Sequence, residues 1–412
     1  MSLSSCREPL CDLGFSGDET VIDVLHAITN DMHHVSIRRL ALLVVVVATG
    51  CSRVSDVSYT LRADAEKLDL PAKHKEQIAE YLAMFHGTPA NPRMALANPD
   101  HDHEDKSSAA TASAAVAPIA RIDKPGYDRL TLQLGHEVYT KQCAGCHGTT
   151  GDGKGPAGAY LNPPPRDYRN GVFKFASTPR GSKPRREDLR RILKYGAKGT
   201  SMPAFRFLSD EETEAVIDYV QVLSARGQLE IDLIREAIDE LDEGDDFDPE
   251  TVAEAVQAIS DSWDRAESEI VRPVTVNPPR TPETIQQGAV AFAELYCVKC
   301  HGPNARGSKS ADVGQDIWGR TAYPANLAMG MLHGGRRPID IYRRIYSGIN
   351  GTPMPSSKDP NTAIGETPEQ RSDRIWQLVH FITAVIENNG VPDDAQRAID
   401  DTLRAVAGGT TP

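Results

Sequence analysis

Apolar residues in this chain recur mainly at every third or fourth position, which is the spacing of helices that bury one face. Near the N-terminus, residues 55–86 are expected to be largely helical, because Ile78, Leu82 and Phe85 lie on one helical face. Alternation of the kind found in strands is scarce. The pattern therefore predicts a chain rich in helices and poor in strands.

Two amphipathic helices further along the chain carry capping signals in their first turns. Ser209 and Glu212 have the spacing of a capping box, and so do Thr367 and Gln370, with Pro368 at the first helical position. Apolar residues follow each signal at helical spacing: Val216, Tyr219, Val220 and Leu223 after the first, and Ile375, Leu378, Val379 and Ile382 after the second. Both segments are predicted to be core-facing helices.

These helices close two blocks, residues 125–227 and 283–390, that repeat one order of features. Each block has a glycine four residues before an aromatic residue, a Cys-x-x-Cys-His motif, an Arg-Arg-Ile segment, a Gly-Thr-x-Met-Pro turn and a capped helix. The matched positions are Gly135, Tyr139, 143–147, 190–192 and 199–203 in the first block, and Gly288, Phe292, 297–301, 343–345 and 351–355 in the second. The matched order indicates a tandem duplication.

The remaining segments flank or connect the two repeats. Residues 51–97 are expected to form a helical N-terminal segment, and residues 98–124, rich in Pro, Ala, Ser and charge, a linker. Residues 228–282 form an acidic helical insertion, whose two helices meet at a DEGDD turn as a solvated hairpin. Residues 391–412 are interpreted as a C-terminal helix and tail.

Charge and composition exclude one class of function and raise a question about the core. The 412 residues carry a net charge of −13, whereas a nucleic-acid-binding protein needs a basic face. Aromatic residues make up 6% of the chain, which is little for several separate cores. A bound group that fills part of the interior would resolve this shortage.

A short apolar run near the N-terminus is typical of an export signal. Residues 40–49 are too short for a membrane-spanning helix, which needs about 20 residues, and they follow Arg38 and Arg39. The run ends at Cys51 in a motif that resembles a bacterial lipobox, where the cysteine takes the lipid. An ordinary signal peptide with a chance cysteine is the alternative.

The layout of this signal predicts where translation starts. Met32 opens a segment with the proper order of basic, apolar and small residues. We therefore interpret residues 1–31 as a mis-assigned upstream start and residues 32–50 as a lipoprotein signal peptide. The mature protein would begin at lipidated Cys51, on the periplasmic side of a bacterial membrane.

The two Cys-x-x-Cys-His motifs carry the chemistry. This motif is the attachment signature of c-type haem, since two thiols add to the vinyl groups and the histidine ligates the iron. The sequence therefore predicts two haem c groups, held by Cys143 and Cys146 with His147, and by Cys297 and Cys300 with His301.

Three other uses of Cys-x-x-Cys pairs fit the sequence less well. A thioredoxin-like redox site lies at a strand–helix junction, whereas these motifs follow helices. The pairs of a zinc ribbon lie about 15–20 residues apart, whereas the first cysteines here, Cys143 and Cys297, are 154 residues apart. Structural disulfides leave the histidines unexplained.

Each haem has a candidate second axial ligand in its own repeat. Met202 lies 55 residues after His147, and Met354 lies 53 residues after His301, both in the Gly-Thr-x-Met-Pro turn. A thioether opposite a histidine raises the reduction potential and closes the iron to substrates. Because the ligands of each iron come from one repeat, the two sites are expected to be independent.

Taken together, both repeats resemble class I cytochrome c domains, and the resemblance covers about half of the chain. It implies an all-α fold with two cytochrome c-like haem domains in tandem, joined by the helical hairpin insertion. The second repeat, with its GIxGTPMP segment and the helix around Trp376–Phe381, also looks like the haem domains of multi-haem oxidase subunits. Haem would fill part of each small core.

The resemblance also implies residues around each haem. In this family the ligating histidine donates its second ring proton to a backbone carbonyl, often of a proline, which Pro165 and Pro324 would supply. Haem propionates would meet residues near these prolines, namely Arg166, Tyr168, Arg169 and Arg320. Exposed arginines and a packed tyrosine are the alternative reading.

Two functions of different class follow. The first is a membrane-tethered dihaem electron carrier, not an enzyme, that passes single electrons between respiratory complexes or from a dehydrogenase to a terminal oxidase or reductase. Its partners would be redox proteins, among them a quinol-oxidising complex, and a membrane reached through the lipid anchor. The second is a dihaem enzyme such as a peroxidase, or a haem subunit of a larger oxidoreductase complex. A peroxidase needs an open iron, and two intact methionine turns weigh against it.

Overall fold

The computed structural model describes residues 61–62, 70–97, 121–307, 313–359, 361 and 365–407. Within them, regular structure is helical apart from one antiparallel pair of short strands, β1 (Ala95–Ala97) and β2 (Arg121–Asp123). The all-α fold class is therefore confirmed. The predicted signal peptide, Cys51 and most of the predicted linker lie outside the described residues.

The helices follow the predicted order along the chain. Those up to the insertion are α1 (Ala72–His86), α2 (Arg129–Gln142), α3 (Ala144–His147), α4 (Arg186–Tyr195), α5 (Asp210–Asp239) and α6 (Pro249–Ser268). Those of the second repeat and the C-terminus are α7 (Pro282–Glu294), α8 (Cys297–His301), α9 (Pro338–Ser347), α10 (Pro368–Glu387) and α11 (Asp393–Ala407). Single 3-10 turns lie at Gly158–Tyr160, Tyr168–Asn170 and Leu327–Met329.

Both predicted capping boxes are present at the helices that close the repeats. The Glu212 amide donates to Ser209 Oγ at 3.0 Å, and the Ser209 amide donates to Glu212 Oε2 at 2.8 Å. Thr367 and Gln370 exchange the same pair of bonds at 3.2 and 2.9 Å, with Pro368 at the first helical position. Each box satisfies amide groups that a helix start otherwise leaves unpaired.

The glycine of the first repeat lets α2 cross α5 in close contact. A Cβ built on Gly135 would lie 2.1 Å from the carbonyl oxygen of Ala215, so any side chain there would collide with backbone. One turn later, the ring of Tyr139 lies 5.2 Å from that of Tyr219. The glycine–aromatic pattern is therefore the signature of this helix crossing.

The second repeat has the same crossing between α7 and α10. A Cβ on Gly288 would lie 2.0 Å from the carbonyl oxygen of Gln377, and the Phe292 ring lies 5.1 Å from the Phe381 ring. Both phenylalanines are buried. The same local sequence thus builds the same contact twice.

The boundary expected between the first repeat and the insertion, after residue 227, falls inside a helix. Helix α5 runs unbroken over 30 residues and forms the first arm of the predicted hairpin, with α6 as the second arm. Gly227 does not end the helix. Instead it admits the backbone of Arg169, because a Cβ at this position would lie 2.3 Å from the Arg169 Cα.

The insertion is part of a core and not a solvated appendage. Its apolar face packs with α1 in one hydrophobic cluster, in which Phe85 of α1, Leu229 of α5 and Val252 of α6 are fully buried. At its edge, the buried ammonium of Lys124 pairs with Asp264 of α6 at 2.8 Å. Most acidic residues of the insertion are exposed, whereas Glu230 is fully buried and pairs with Arg226 at 3.3 Å.

The two repeats also contact each other directly, which the sequence did not predict. Arg191 of the first repeat pairs with Asp340 of the second at 3.1 Å, and Lys174 pairs with Asp316 at 3.2 Å. Both carboxylates have less than a tenth of their side-chain surface exposed. The expectation of two independent sites overlooked this interface, because the paired residues lie more than 140 positions apart.

Among the described residues, no helix combines the length and the apolar character that crossing a membrane requires.

Candidate haem sites

The first Cys-x-x-Cys-His motif lies where α2 ends and α3 begins. Cys143 and His147 are buried and Cys146 is half-buried. His147 Nδ1 donates to the backbone carbonyl of Arg166 at 3.2 Å, and its ring stacks on Tyr168 with centroids 4.7 Å apart. Because Nδ1 donates its proton, Nε2 keeps the lone pair with which a histidine binds iron.

Burial sets the charge state of this motif. It raises the pKa of Cys143 to about 12 and lowers the pKa of His147. The thiol is therefore protonated and the imidazole neutral at neutral pH. A neutral imidazole is the form that ligates a metal.

The second motif, on α8, has the same arrangement. His301 Nδ1 donates to the backbone carbonyl of Ala325 at 3.0 Å, and burial lowers the pKa of His301. Burial also raises the pKa of Cys297 to about 11. Cys297 and Cys300 are both half-buried.

The carbonyls that orient the histidines differ by one residue from those expected. Pro165 and Pro324 were the expected acceptors, whereas the structure has Arg166 and Ala325, the residue after each proline. In the first repeat the Pro165 carbonyl faces Gly153, where a Cβ would lie 2.7 Å from its oxygen. Each proline therefore shapes the loop, and its successor holds the histidine.

The turn that carries Met202 is closed by its own hydrogen bonds. The Ala197 amide donates to the Met202 carbonyl at 3.2 Å, and the Met202 amide donates to Thr200 Oγ1 at 3.1 Å. Thr200 Oγ1 in turn donates to the Ala197 carbonyl at 2.6 Å. The threonine of Gly-Thr-x-Met-Pro thus ties the turn together, with Met202 half-buried.

The turn that carries Met354 repeats these bonds with longer distances. The Ile349 amide donates to the Met354 carbonyl at 3.4 Å, and the Met354 amide donates to Thr352 Oγ1 at 3.3 Å. Thr352 Oγ1 donates to the Ile349 carbonyl at 2.8 Å. Met354 is half-buried, as Met202 is.

Arg166 and Trp318 place two buried donors beside the first site. Among the described residues, Arg166 Nη1 and Trp318 Nε1 are buried, and neither donates a hydrogen bond. The guanidinium lies 3.9 Å from the centre of the indole ring, and burial lowers the pKa of Arg166 to about 10. Buried donors of this kind suit an anionic group such as a haem propionate.

The other residues expected near propionates have different surroundings. Arg169 is buried against Asp167 at 2.9 Å, so its charge is already paired. Tyr168 is sandwiched between His147 and Phe173. Arg320 is exposed, and its backbone amide donates to Asp316 at 3.1 Å. Arg166 is thus the member of this set that fits the role best.

The donor sets fit a covalent haem at both motifs. The four cysteines of the described residues are free thiols, and each motif pairs them with a histidine whose Nε2 is available. Sequence reasoning missed Trp318, because its partner Arg166 belongs to the other repeat and no local spacing links them.

Comparison with known proteins assigns a class to the first repeat. Residues 131–220, which include the first motif and Met202, match the family model described as cytochrome c oxidase, cbb3-type, subunit III. This region is a cytochrome c domain, a class of electron-transfer domain that holds haem c with its iron.

Two individual proteins are also similar to the chain. It is 30% identical over 143 residues to the cbb3-type cytochrome c oxidase subunit CcoP of Helicobacter pylori (strain 52), covering 34% of this chain and 43% of that protein. The chain thus spans less than half of that relative's length. A chain of the Kuenenia stuttgartiensis reducing HAO-like protein complex is 28% identical, covering 62% of this chain and 96% of its own, with a TM-score of 0.44.

Proposed function

We propose that this protein is a dihaem c-type cytochrome that carries single electrons between respiratory redox proteins. One observation supports it above others: a single arrangement of histidine, orienting carbonyl and methionine turn occurs twice. A duplicated ligand set is what a chain with two electron-transfer centres requires.

Each haem would be held entirely by its own repeat. Thioether bonds would form at Cys143 and Cys146 in the first repeat and at Cys297 and Cys300 in the second. The axial ligands would be His147 with Met202, and His301 with Met354. Bound in this way, haem iron supplies a centre that accepts and releases one electron.

The chain's own residues tune that centre. The carbonyls of Arg166 and Ala325 keep each ligating ring in a fixed orientation, which limits reorganisation when the charge of the iron changes. As iron ligands, Met202 and Met354 would occupy the position that a substrate would need. These features favour an electron carrier over a peroxidase.

The partners we propose are redox proteins of a respiratory chain. The CcoP relative is named as a subunit of an oxidase, which favours a role beside, or within, a terminal oxidase or reductase complex. Quinol-oxidising complexes and dehydrogenases are the matching electron donors. The second candidate, a haem subunit of a larger oxidoreductase, follows from the same relative.

The haem content tests the proposal directly. Mass spectrometry of the denatured protein after acid–acetone extraction is expected to show two covalent haems per chain, because thioether bonds survive that treatment. A holoprotein with one covalent haem or none would contradict the proposal of a dihaem cytochrome.

The proposed location is the periplasmic face of a membrane, reached through lipidated Cys51. Stable anchoring needs more than one acyl chain, as a bacterial lipoprotein has. C51A is therefore expected to move the protein from the membrane to the soluble fraction, as measured by immunoblotting after fractionation. Ser52→Ala at the adjacent position is the matched control, and tight membrane association of C51A would contradict the anchor.

A further inference from the structure

In each repeat, one polar side chain hydrogen-bonds to the backbone of the turn that carries the other repeat's methionine. In the first repeat, Arg180 donates through Nη1 to the Met354 carbonyl at 2.5 Å and through Nη2 to the Thr352 carbonyl at 2.8 Å. Nη1 also lies 3.5 Å from the Ile349 carbonyl. One guanidinium thus contacts three backbone oxygens of the second turn.

The reverse contact comes from the second repeat. His333 Nδ1 donates to the Lys198 carbonyl at 2.8 Å, in the turn that leads to Met202. The same ring packs on Gly199, where a Cβ would lie 2.9 Å from Nδ1. The first turn is therefore covered by the second repeat, as the second turn is by the first.

Arg180 and His333 occupy equivalent positions in the duplication. Each lies ten residues before the first arginine of its Arg-Arg-Ile segment, at positions 190 and 343. The second arginine of each Arg-Arg-Ile segment, Arg191 or Arg344, also reaches across the interface. Arg191 pairs with Asp340 at 3.1 Å, and the Arg344 guanidinium lies 5.7 Å from the centre of the Phe175 ring. The interface is thus reciprocal.

More of the first repeat closes over the second turn. The Gly181 amide donates to Asn350 Oδ1 at 2.9 Å, and Ser347 Oγ donates to the Thr178 carbonyl at 3.2 Å. Residues 178–182 therefore cover the backbone that runs from Ser347 to Met354. Arg180 is the residue of this cover that reaches the methionine itself, through its carbonyl.

We propose that the repeats hold each other's axial ligands: Arg180 is a positioning residue for Met354, and His333 is one for Met202. This inference rests on the proposed function, in which the two methionines ligate iron. The bonds within the second turn are longer than those within the first, at 3.4 and 3.3 Å against 3.2 and 3.1 Å.

The shape of the guanidinium matters as much as its charge. Arginine presents planar donors that reach two carbonyls at once, whereas lysine presents one compact charge. R180K thus keeps the positive charge near the second site and loses the planar donors that reach two carbonyls at once. Comparing R180K with R180Q separates positioning of the turn from an electrostatic effect on the potential.

The experiment uses full-length holoprotein in which one methionine has been removed. In M202A, the sulfur-to-iron charge-transfer band of the oxidised protein comes from the second haem alone, and in M354A from the first haem alone. R180Q is expected to lose most of the band in the M202A background and to leave it unchanged in the M354A background. H333A is expected to show the opposite pattern.

Two further readouts follow the same variants. Reduced R180Q is expected to bind about one carbon monoxide per chain where the wild type binds little, because a released methionine opens the iron. Amide hydrogen exchange across residues 349–354 is expected to be several-fold faster in R180Q and in R180K. R185Q is the matched control, since Arg185 contacts Glu267 and not a methionine turn.

Each outcome decides between the alternatives, provided that two haems per chain show each variant to be folded. A full band in R180Q within the M202A background would overturn the positioning role while leaving the proposed function intact. A second contrary outcome is that R180Q and R180K both keep the band, while R180Q lowers the potential of the second haem and R180K restores it. The effect of Arg180 would then be electrostatic, and the positioning role would be overturned. An unchanged spectrum in M354A itself would contradict the ligand assignment, and the inference with it.

Discussion

The rings of His147 and His301 are oriented by backbone carbonyls that lie 19 and 24 residues further along the chain, and this has a chemical consequence. A carbonyl can only accept a hydrogen bond, so Nδ1 must carry the proton in both His147 and His301. Nε2, the nitrogen that would bind iron, is thereby left with its lone pair without a charged partner. Such an arrangement suits a ligand that must stay neutral through many cycles of electron transfer.

Replacing either methionine is expected to open one iron. In M202A or M354A the affected haem would lose its methionine ligand, which would lower its reduction potential and make it high-spin or water-ligated. Carbon monoxide binding by the reduced protein should rise from little to about one molecule per chain. Redox titration should show that the reduction potential of one haem has fallen. M329A, at an exposed methionine outside both turns, is the control. Ready binding of carbon monoxide by the reduced wild type would contradict the carrier function.

The extent to which single residues can be predicted from the sequence depends on how local their signal is. Cys143, Cys146 and His147 lie within five positions, so the motif alone is enough to predict them as haem-binding residues. Met202 is distant, and its signal was the copy of its turn in the second repeat. Arg180 has no such signal, because its partners are backbone carbonyls, which any sequence supplies.

At the scale of elements, the two helix crossings account for the glycines that open each repeat. Replacing glycine by alanine inside a helix normally stabilises it by about 1 kcal/mol. At Gly135 the added Cβ would meet the carbonyl oxygen of Ala215 at 2.1 Å, so the helices must separate. Alanine at this position should therefore destabilise the protein instead of stabilising it.

G135A is expected to destabilise the protein by about 1–3 kcal/mol, the usual cost of overfilling a packed contact. Urea unfolding followed by circular dichroism measures it. G244A, in the turn between α5 and α6 where a Cβ would meet nothing within 4 Å, is the control and should change little. Equal or higher stability of G135A would show that α2 and α5 can move apart without cost.

Element boundaries were harder to predict than element types. The caps at Ser209 and Thr367 marked two helix starts correctly, since a cap is a local hydrogen bond. The continuation of α5 beyond residue 227, where the repeat boundary was expected, was not predicted, because Gly227 accommodates Arg169 and does not end the helix. The burial of the insertion was equally hidden, since its partner helix α1 precedes the first repeat.

At the scale of the whole molecule, the contact between the repeats depends on buried carboxylates. Burial raises the pKa of Asp340, but a hydrogen bond from Arg337 and the charges of Arg191, Arg337 and Arg344 outweigh it and hold that pKa below its usual value. The ionised carboxylate is thus more favourable in the folded protein than in the unfolded chain. Its contribution to stability is complete above about pH 4 and is lost as the pH falls through the lower pKa of the folded state.

D340N is therefore expected to cost about 2 kcal/mol at neutral pH, the order of a charged hydrogen bond. The difference from the wild type should shrink as the pH falls from 4 towards 3, because the carboxylate of the unfolded chain is then protonated before that of the folded protein. Urea unfolding at both pH values measures this. D261N, on the exposed side of the insertion, is the control. A difference that stays constant with pH would exclude the ion pair as its cause.

The reciprocal contact of Arg180 and His333 also bears on how such a chain arises. Two copies of one domain that touch each other's equivalent loops form an isologous pair, as in a twofold-symmetric homodimer. Two separate copies with this face would pair only at a concentration high enough for association. Joining them raises the effective concentration of one copy near the other to the millimolar range, so the pair no longer depends on dilution. The two faces then need not stay identical: the first repeat has an arginine, and the second a histidine, at the equivalent position.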